Sequence, residues 1–147
     1  MKVILGNIEQ AVEVHSKIPE FSKPAEVNYF KERYQNKKHI IFIALKEKKP
    51  IGYMISYDRY SDGSIYCWMA GVLPNFRKLK ALSAMMNALE KWSKENNYKA
   101  IKIKTSNKRK AMLSYLINND FLVTKVYNET QEKLILNNRI NLEKHLI

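Results

Sequence analysis

The chain opens with a short apolar run, Lys2 to Leu5, that reads as a strand, and then the period lengthens. Asn7 suits a helix N-cap, and Ile8, Ala11, Val12 and His15 recur at helical spacing until Pro19 stops them. After the loop Ile18-Pro19-Glu20-Phe21, a second helix is predicted from Pro24, a good first-turn residue, with Val27, Phe30 and Tyr34 along one face. Ile40 to Leu45 is an unbroken β-rich run, predicted as a central strand buried on both faces, which the turn Lys46 to Pro50 returns as a hairpin. Gly52 to Tyr57, the turn Ser61-Asp62-Gly63-Ser64 and Ile65 to Val72 complete a three-stranded meander.

Pro74 closes that meander, and a long amphipathic helix is predicted through Leu79, Leu82, Met85, Met86, Leu89 and Trp92, ending near Asn96-Asn97. Lys99 to Lys104 alternates isoleucine with lysine as a strand, Asn107 to Asn119 is helical, and Phe121 to Tyr127 and Asn138 to Leu146 are strands. The succession specifies a mixed α+β domain built on one central sheet. No repeat, linker or low-complexity tract interrupts residues 1–147, so one domain with one active site is expected.

Charge narrows the partners. Lys and Arg number 26 against 14 Asp and Glu, a net charge of +12, which favours phosphorylated cofactors, nucleic acid or another acidic surface. Much of this charge also reads as a solvated lysine-rich face. No apolar run is long enough to span a membrane and the first residues lack a secretory core, so a cytoplasmic setting is expected. Cys67 is the one cysteine, and His15, His39 and His145 lack metal-ligand spacing with it, so neither a disulfide nor a metal is expected.

The strand-turn-helix from Ile65 to Trp92 holds the most chemistry. A helix start after a strand offers free N–H groups and a positive dipole end to an anion. Arg77, Lys78 and Lys80 fall at that start, where cations are disfavoured unless an anion binds beside them, and Lys108, Arg109 and Lys110 repeat the pattern at the next helix. Together they point to a ligand with several phosphates.

The element order and the run Gly71-Val72-Leu73-Pro74-Asn75-Phe76-Arg77 resemble the GNAT acetyltransferases, whose fourth strand leads through Val-x-Pro-x-(Tyr/Phe)-Arg into a pyrophosphate loop. Gly52-Tyr53, Trp92, Tyr98 and the Asn-Asp-Phe ending at Phe121 match further positions. Ile-Pro-Glu-Phe and Tyr-Asp-Arg-Tyr-x-Asp-Gly-Ser segments resemble an uncharacterised subgroup. The resemblance implies a mostly antiparallel mixed sheet flanked by helices, with the fourth and fifth strands splayed. It also implies acetyl-CoA as acetyl donor, lying between those strands, and an amine that attacks it directly in a ternary complex. Gly71, Val72 and Leu73 would pair with the pantetheine arm, and Val72 or Leu73 N–H would serve the oxyanion. Arg77, Lys78, Leu79, Lys80, Ala81 and Leu82, with Asn107 and Arg109, complete the cofactor contacts.

Two departures stand out. Lys80 and Leu82 replace small residues of the pyrophosphate loop: a lysine Cβ could obstruct it, or its ammonium could supply a phosphate contact. Leu116 stands where many members carry the tyrosine that protonates the leaving thiolate. Tyr115 beside it points about 100° away and would need a register shift to take over. Loss of such an acid slows transfer by about 10²–10⁴-fold without abolishing it. Glu20 and Asp58 are the candidate general bases, while Phe21, Tyr57, Tyr66 and Trp68 would wall the acceptor site.

Acetyl transfer to an amine ranks first. A non-catalytic acyl-CoA binder of the same fold and a basic nucleic-acid-binding module follow, and an exposed C-terminal strand would offer an edge for homodimer pairing.

Overall fold

The computed structural model describes residues 1–21, 26–128 and 138–147. Seven strands form one sheet in the order β1-β2-β3-β4-β5-β7-β6: β1 (Lys2–Leu5), β2 (His39–Lys46), β3 (Lys49–Tyr57), β4 (Ser64–Val72), β5 (Ala100–Ser106), β6 (Leu122–Asn128) and β7 (Asn138–His145). Every pair is antiparallel except β4 with β5, joined by a helical crossover. The expected mixed α+β sheet is therefore present.

Helices α1 (Ile8–Ser16) and α2 (Val27–Tyr34) cover one face; α3 (Ala81–Glu95) and α4 (Lys110–Asn118) cover the other. Asn7 caps α1 through a capping box, its side chain accepting from Gln10 N while Gln10 Oε1 accepts from Asn7 N. α1 ends at Ser16, before Pro19, and α2 starts at Val27; Pro24, the expected start, lies outside the described residues. Glu47 and Lys48 both hold positive φ, so β2 and β3 meet in a two-residue turn, tighter than the expected Lys46 to Pro50.

The α1/α2 face buries Ile8, Phe30, Ile43 and Tyr53; the opposite face buries Met54, Met85, Leu89 and Leu116. Each fully buried side chain of this size contributes about 1.5–3 kcal/mol relative to exposure.

Two expectations need correction. The predicted long helix after Pro74 is broken: Pro74–Leu79 is a 3-10 helix, Lys80 stands in the left-handed region at φ 61°, and only then does α3 begin. Lys78, Arg77 and Lys80 thus precede α3 instead of forming its first turn. The C-terminal strand is no edge, because β7 runs between β5 and β6, and β6 is the outer strand. Homodimer pairing through β7 is ruled out by its two neighbours.

Candidate active site

β4 and β5 pair only from Ser64 with Ala100 to Cys67 with Ile103; beyond that point the strands part. The parting coincides with a bulge. Ser56 pairs with Cys67 and Ile55 with Met69, which leaves Trp68 as the extra residue on β4. Such a bulge increases local twist and turns the strand away from its neighbour. Among the described residues, the remaining length of β4, to Val72, has no strand on its β5 side.

The hydrogen-bond phase decides which backbone groups face that gap. Leu73 N donates to Ile51 O at 2.8 Å, and the same phase two residues back turns Gly71 toward its partner Tyr53. Leu73 and Gly71 are therefore committed to β3, which removes Leu73 N–H as an oxyanion donor. Val72 and Ala70 face the gap instead, and Val72 O already accepts from Arg77 Nε at 3.1 Å. Ala70 was not anticipated; the strand period needed one observed bond to set its phase. Gly71 serves packing, since a Cβ there would lie 2.5 Å from Ile18 Cδ1 and 3.0 Å from Phe21 Cε2.

A groove of about 790 Å³ continues the gap toward the starts of α3 and α4, lined by Gly71, Val72, Arg77, Leu82 and residues 108–112. Neither helix has a side-chain cap or an acid in its first turn, so both present N–H groups and positive dipole ends. Lys78 and Leu79 lie in the 3-10 helix, and Ala81 packs into the core, wholly buried. Asn107 lines neither this groove nor the chamber described below; its Oδ1 accepts from Asn138 N at 3.0 Å, tying β5 to β7.

Glu20 reaches across the groove to Arg77 at 2.6 Å. That hydrogen bond, with help from the Arg109 charge, holds the Glu20 carboxyl below its usual range, which makes it a weaker base. Phe21 follows it, stacked on His15 at 4.6 Å, with the Arg109 guanidinium 5.2 Å from its ring centroid.

Past the Phe21–Arg109 pair lies a chamber of about 470 Å³, and Phe21, Ala70, Arg109 and Met112 line both spaces. Tyr66 and Trp68 line it; Tyr57 stands behind them, in edge contact with both and receiving a hydrogen bond from Arg33 Nε at 3.2 Å. Burial pushes the Tyr66 phenol up to about 12, so it stays a neutral donor. The chamber is cationic: Arg33, Arg59, Lys104, Arg109 and Arg139 line it, and among the described residues no Asp or Glu does. Arg109 was expected among the cofactor contacts; Arg33, Arg59 and Arg139 were missed, although Arg59 lies within the Tyr-Asp-Arg-Tyr segment.

The remaining candidates sit elsewhere. Asp58 accepts from Tyr98 Oη at 2.9 Å and from Ser61 N at 3.0 Å, which fixes the β3–β4 turn and leaves it outside both spaces. Tyr115 turns its phenol to Ser83 on α3, half-buried, while Leu116 fills the core; no register shift brings the tyrosine round. Cys67 is buried, and burial pushes its thiol up to about 12. No group of three His, Cys, Asp or Glu able to hold a metal occurs among the described residues.

The fold has many solved counterparts. Ribosomal-protein-S18-alanine N-acetyltransferase from Escherichia coli superposes with a TM-score of 0.81 at 10% identity, covering 99% of this chain and 93% of that one. An aminoglycoside 6'-N-acetyltransferase complexed with coenzyme A gives 0.81 at 12% identity, covering 100% and 98%. A Bacillus anthracis structure assigned as a streptothricin acetyltransferase, in complex with acetyl coenzyme A, gives 0.69 at 22% identity, covering 79% and 68%. These likenesses establish the fold. No curated protein matches the sequence. The sequence model of the acetyltransferase (GNAT) family matches residues 9–116, most of the chain, and the chain belongs to that family.

Proposed function

We propose that this acetyl-CoA-dependent N-acetyltransferase holds its cofactor along the open edge of β4 and receives a primary amine from the chamber, both bound at once. The observation that carries the reading is the unpaired edge from Trp68 to Val72, which ends at two helix starts without side-chain caps. The residues fit the group: an amide-bearing arm has Ala70 and Val72 to pair with, and a pyrophosphate has N–H groups, Arg77, Lys108 and Lys110. When bound, acetyl-CoA supplies a thioester carbonyl: the amine forms the C–N bond, the C–S pair leaves on sulfur, and the amine's surplus proton passes to solvent.

The chain's own part is positioning. Val72 N–H, like Ala70 N–H, faces the gap, and it is a backbone donor available to a developing oxyanion. No carboxylate lines the chamber among the described residues, so deprotonation falls to water; surrounding cations favour the neutral amine, the form that attacks. A cytoplasmic setting suits a chain whose one cysteine is a free buried thiol. Among the described residues, no helix is long and apolar enough to cross a membrane.

Calorimetric titration with acetyl-CoA, coenzyme A and ATP at two salt concentrations tests the reading, followed by an assay for released thiol over an amine panel. Saturable one-to-one binding of acetyl-CoA, tighter than ATP, with thiol release is expected. Binding without release from any amine would leave a non-catalytic acyl-CoA binder. Steeply salt-dependent binding of nucleic acid without competition by coenzyme A would favour the nucleic-acid reading.

A further inference from the structure

Three arginines surround the chamber from three different elements, and each lies against an aromatic ring. Arg33, on α2, stands 5.2 Å from the Trp68 centroid; Arg59, between β3 and β4, lies 5.0 Å from Tyr66; Arg109, at the start of α4, lies 5.2 Å from Phe21. Stacking engages the face of a guanidinium and leaves N–H groups on its edge for a planar oxygen pair. None of the three has an Asp or Glu within ion-pair distance among the described residues. Against the same space lies Thr105, 4% exposed, whose Oγ1 has no hydrogen-bond partner among the described residues. A buried hydroxyl without a partner is costly unless a ligand or water satisfies it.

Such a lining repels a polycation. A polyamine, or an amine flanked by further ammonium groups, would meet several cations and, among the described residues, no counter-charge in the lining. An amine that also bears an anion would be held by its anionic end with the nitrogen directed at the gap. The volume, about 470 Å³, lies in the range of small-molecule sites.

We infer that the acceptor is a small primary amine that also carries a carboxylate or a phosphate, bound by Arg33 and Arg59 against the Tyr66–Trp68 wall. This rests on the acetyltransferase reading for the role of the amine, and on the chamber alone for the anion.

The test is a binding titration of the full chain, in the presence of coenzyme A, with two matched pairs of probes: phenylalanine with phenethylamine, and O-phosphoethanolamine with ethanolamine, plus spermidine. The anionic member of at least one pair is expected to bind at least tenfold more tightly than its partner and than spermidine. The pair with the larger preference identifies carboxylate or phosphate. In the R33Q/R59Q variant, checked for an unchanged melting temperature, that preference is expected to fall about tenfold; single variants R33Q and R59Q replace it should the pair not fold. The inference is overturned if neither anion-bearing probe binds, if spermidine or the anion-free partner binds as tightly, or if the arginine variants keep the preference. Failure of acetyl-CoA to bind in the separate titration would instead overturn the acetyltransferase reading and leave the anion preference standing.

Discussion

The groove and the chamber meet at the Phe21–Arg109 pair, yet they are built from different materials. The groove is mostly backbone: one edge of β4 and the starts of α3 and α4, supplemented by Arg77. The chamber is mostly side chains, drawn from the α1–α2 connection, α2, the β3–β4 turn, β4, β5, α4, β6 and β7. A ligand with a fixed arm and pyrophosphate can be read by a repeating backbone, whereas a variable acceptor needs side chains that change without disturbing the fold. Tolerance to substitution should therefore differ between the two spaces.

The harshest way to break the division is Gly71→Val, because its Cβ would press on Ile18, Phe21 and Tyr53 and disturb both spaces together. A loss of about 1–3 kcal/mol in stability is expected, read as a lower urea midpoint, with weakened acetyl-CoA binding. Arg77→Ala should act on the groove alone, lowering acetyl-CoA affinity about tenfold by calorimetry, the scale of one charge-assisted hydrogen bond, while the anion preference of the chamber persists. Lys80→Gly removes a side chain from the left-handed region and should stabilise the chain by roughly 0.5–1 kcal/mol in a denaturant melt. The accompanying change in acetyl-CoA affinity will show whether the ammonium contacts phosphate. Tyr115→Phe should change kcat less than twofold, since the phenol faces Ser83 and neither space.

How much of this was legible in the sequence follows the same division. The elements could be read because period and punctuation agree with packing: Asn7 caps α1, Gly63 and Ser61 take positive φ in the predicted turn, and Asp120 takes φ 70° in the turn between α4 and β6. Lys80 hid the break before α3, because an isolated lysine carries no turn signal, and the apolar spacing runs through it. The Trp68 bulge was equally silent, since one extra residue on a strand of aromatic and apolar residues leaves the composition unchanged. Glu20 and Asp58 were legible as carboxylates but not as partners of Arg77 and Tyr98, which lie 57 and 40 residues away in sequence. The arginine lining was invisible for the same reason: Arg33, Arg59 and Arg109 converge only through the tertiary fold.

The most direct test of the central claim is residue-resolved amide exchange by NMR, with and without acetyl-CoA. Val72 and Ala70, whose N–H groups face the gap, should slow at least tenfold on binding, while Gly71 and Leu73, already bonded toward β3, should change little. Unchanged exchange at Ala70 and Val72 under saturating acetyl-CoA would contradict a cofactor paired along the open edge of β4.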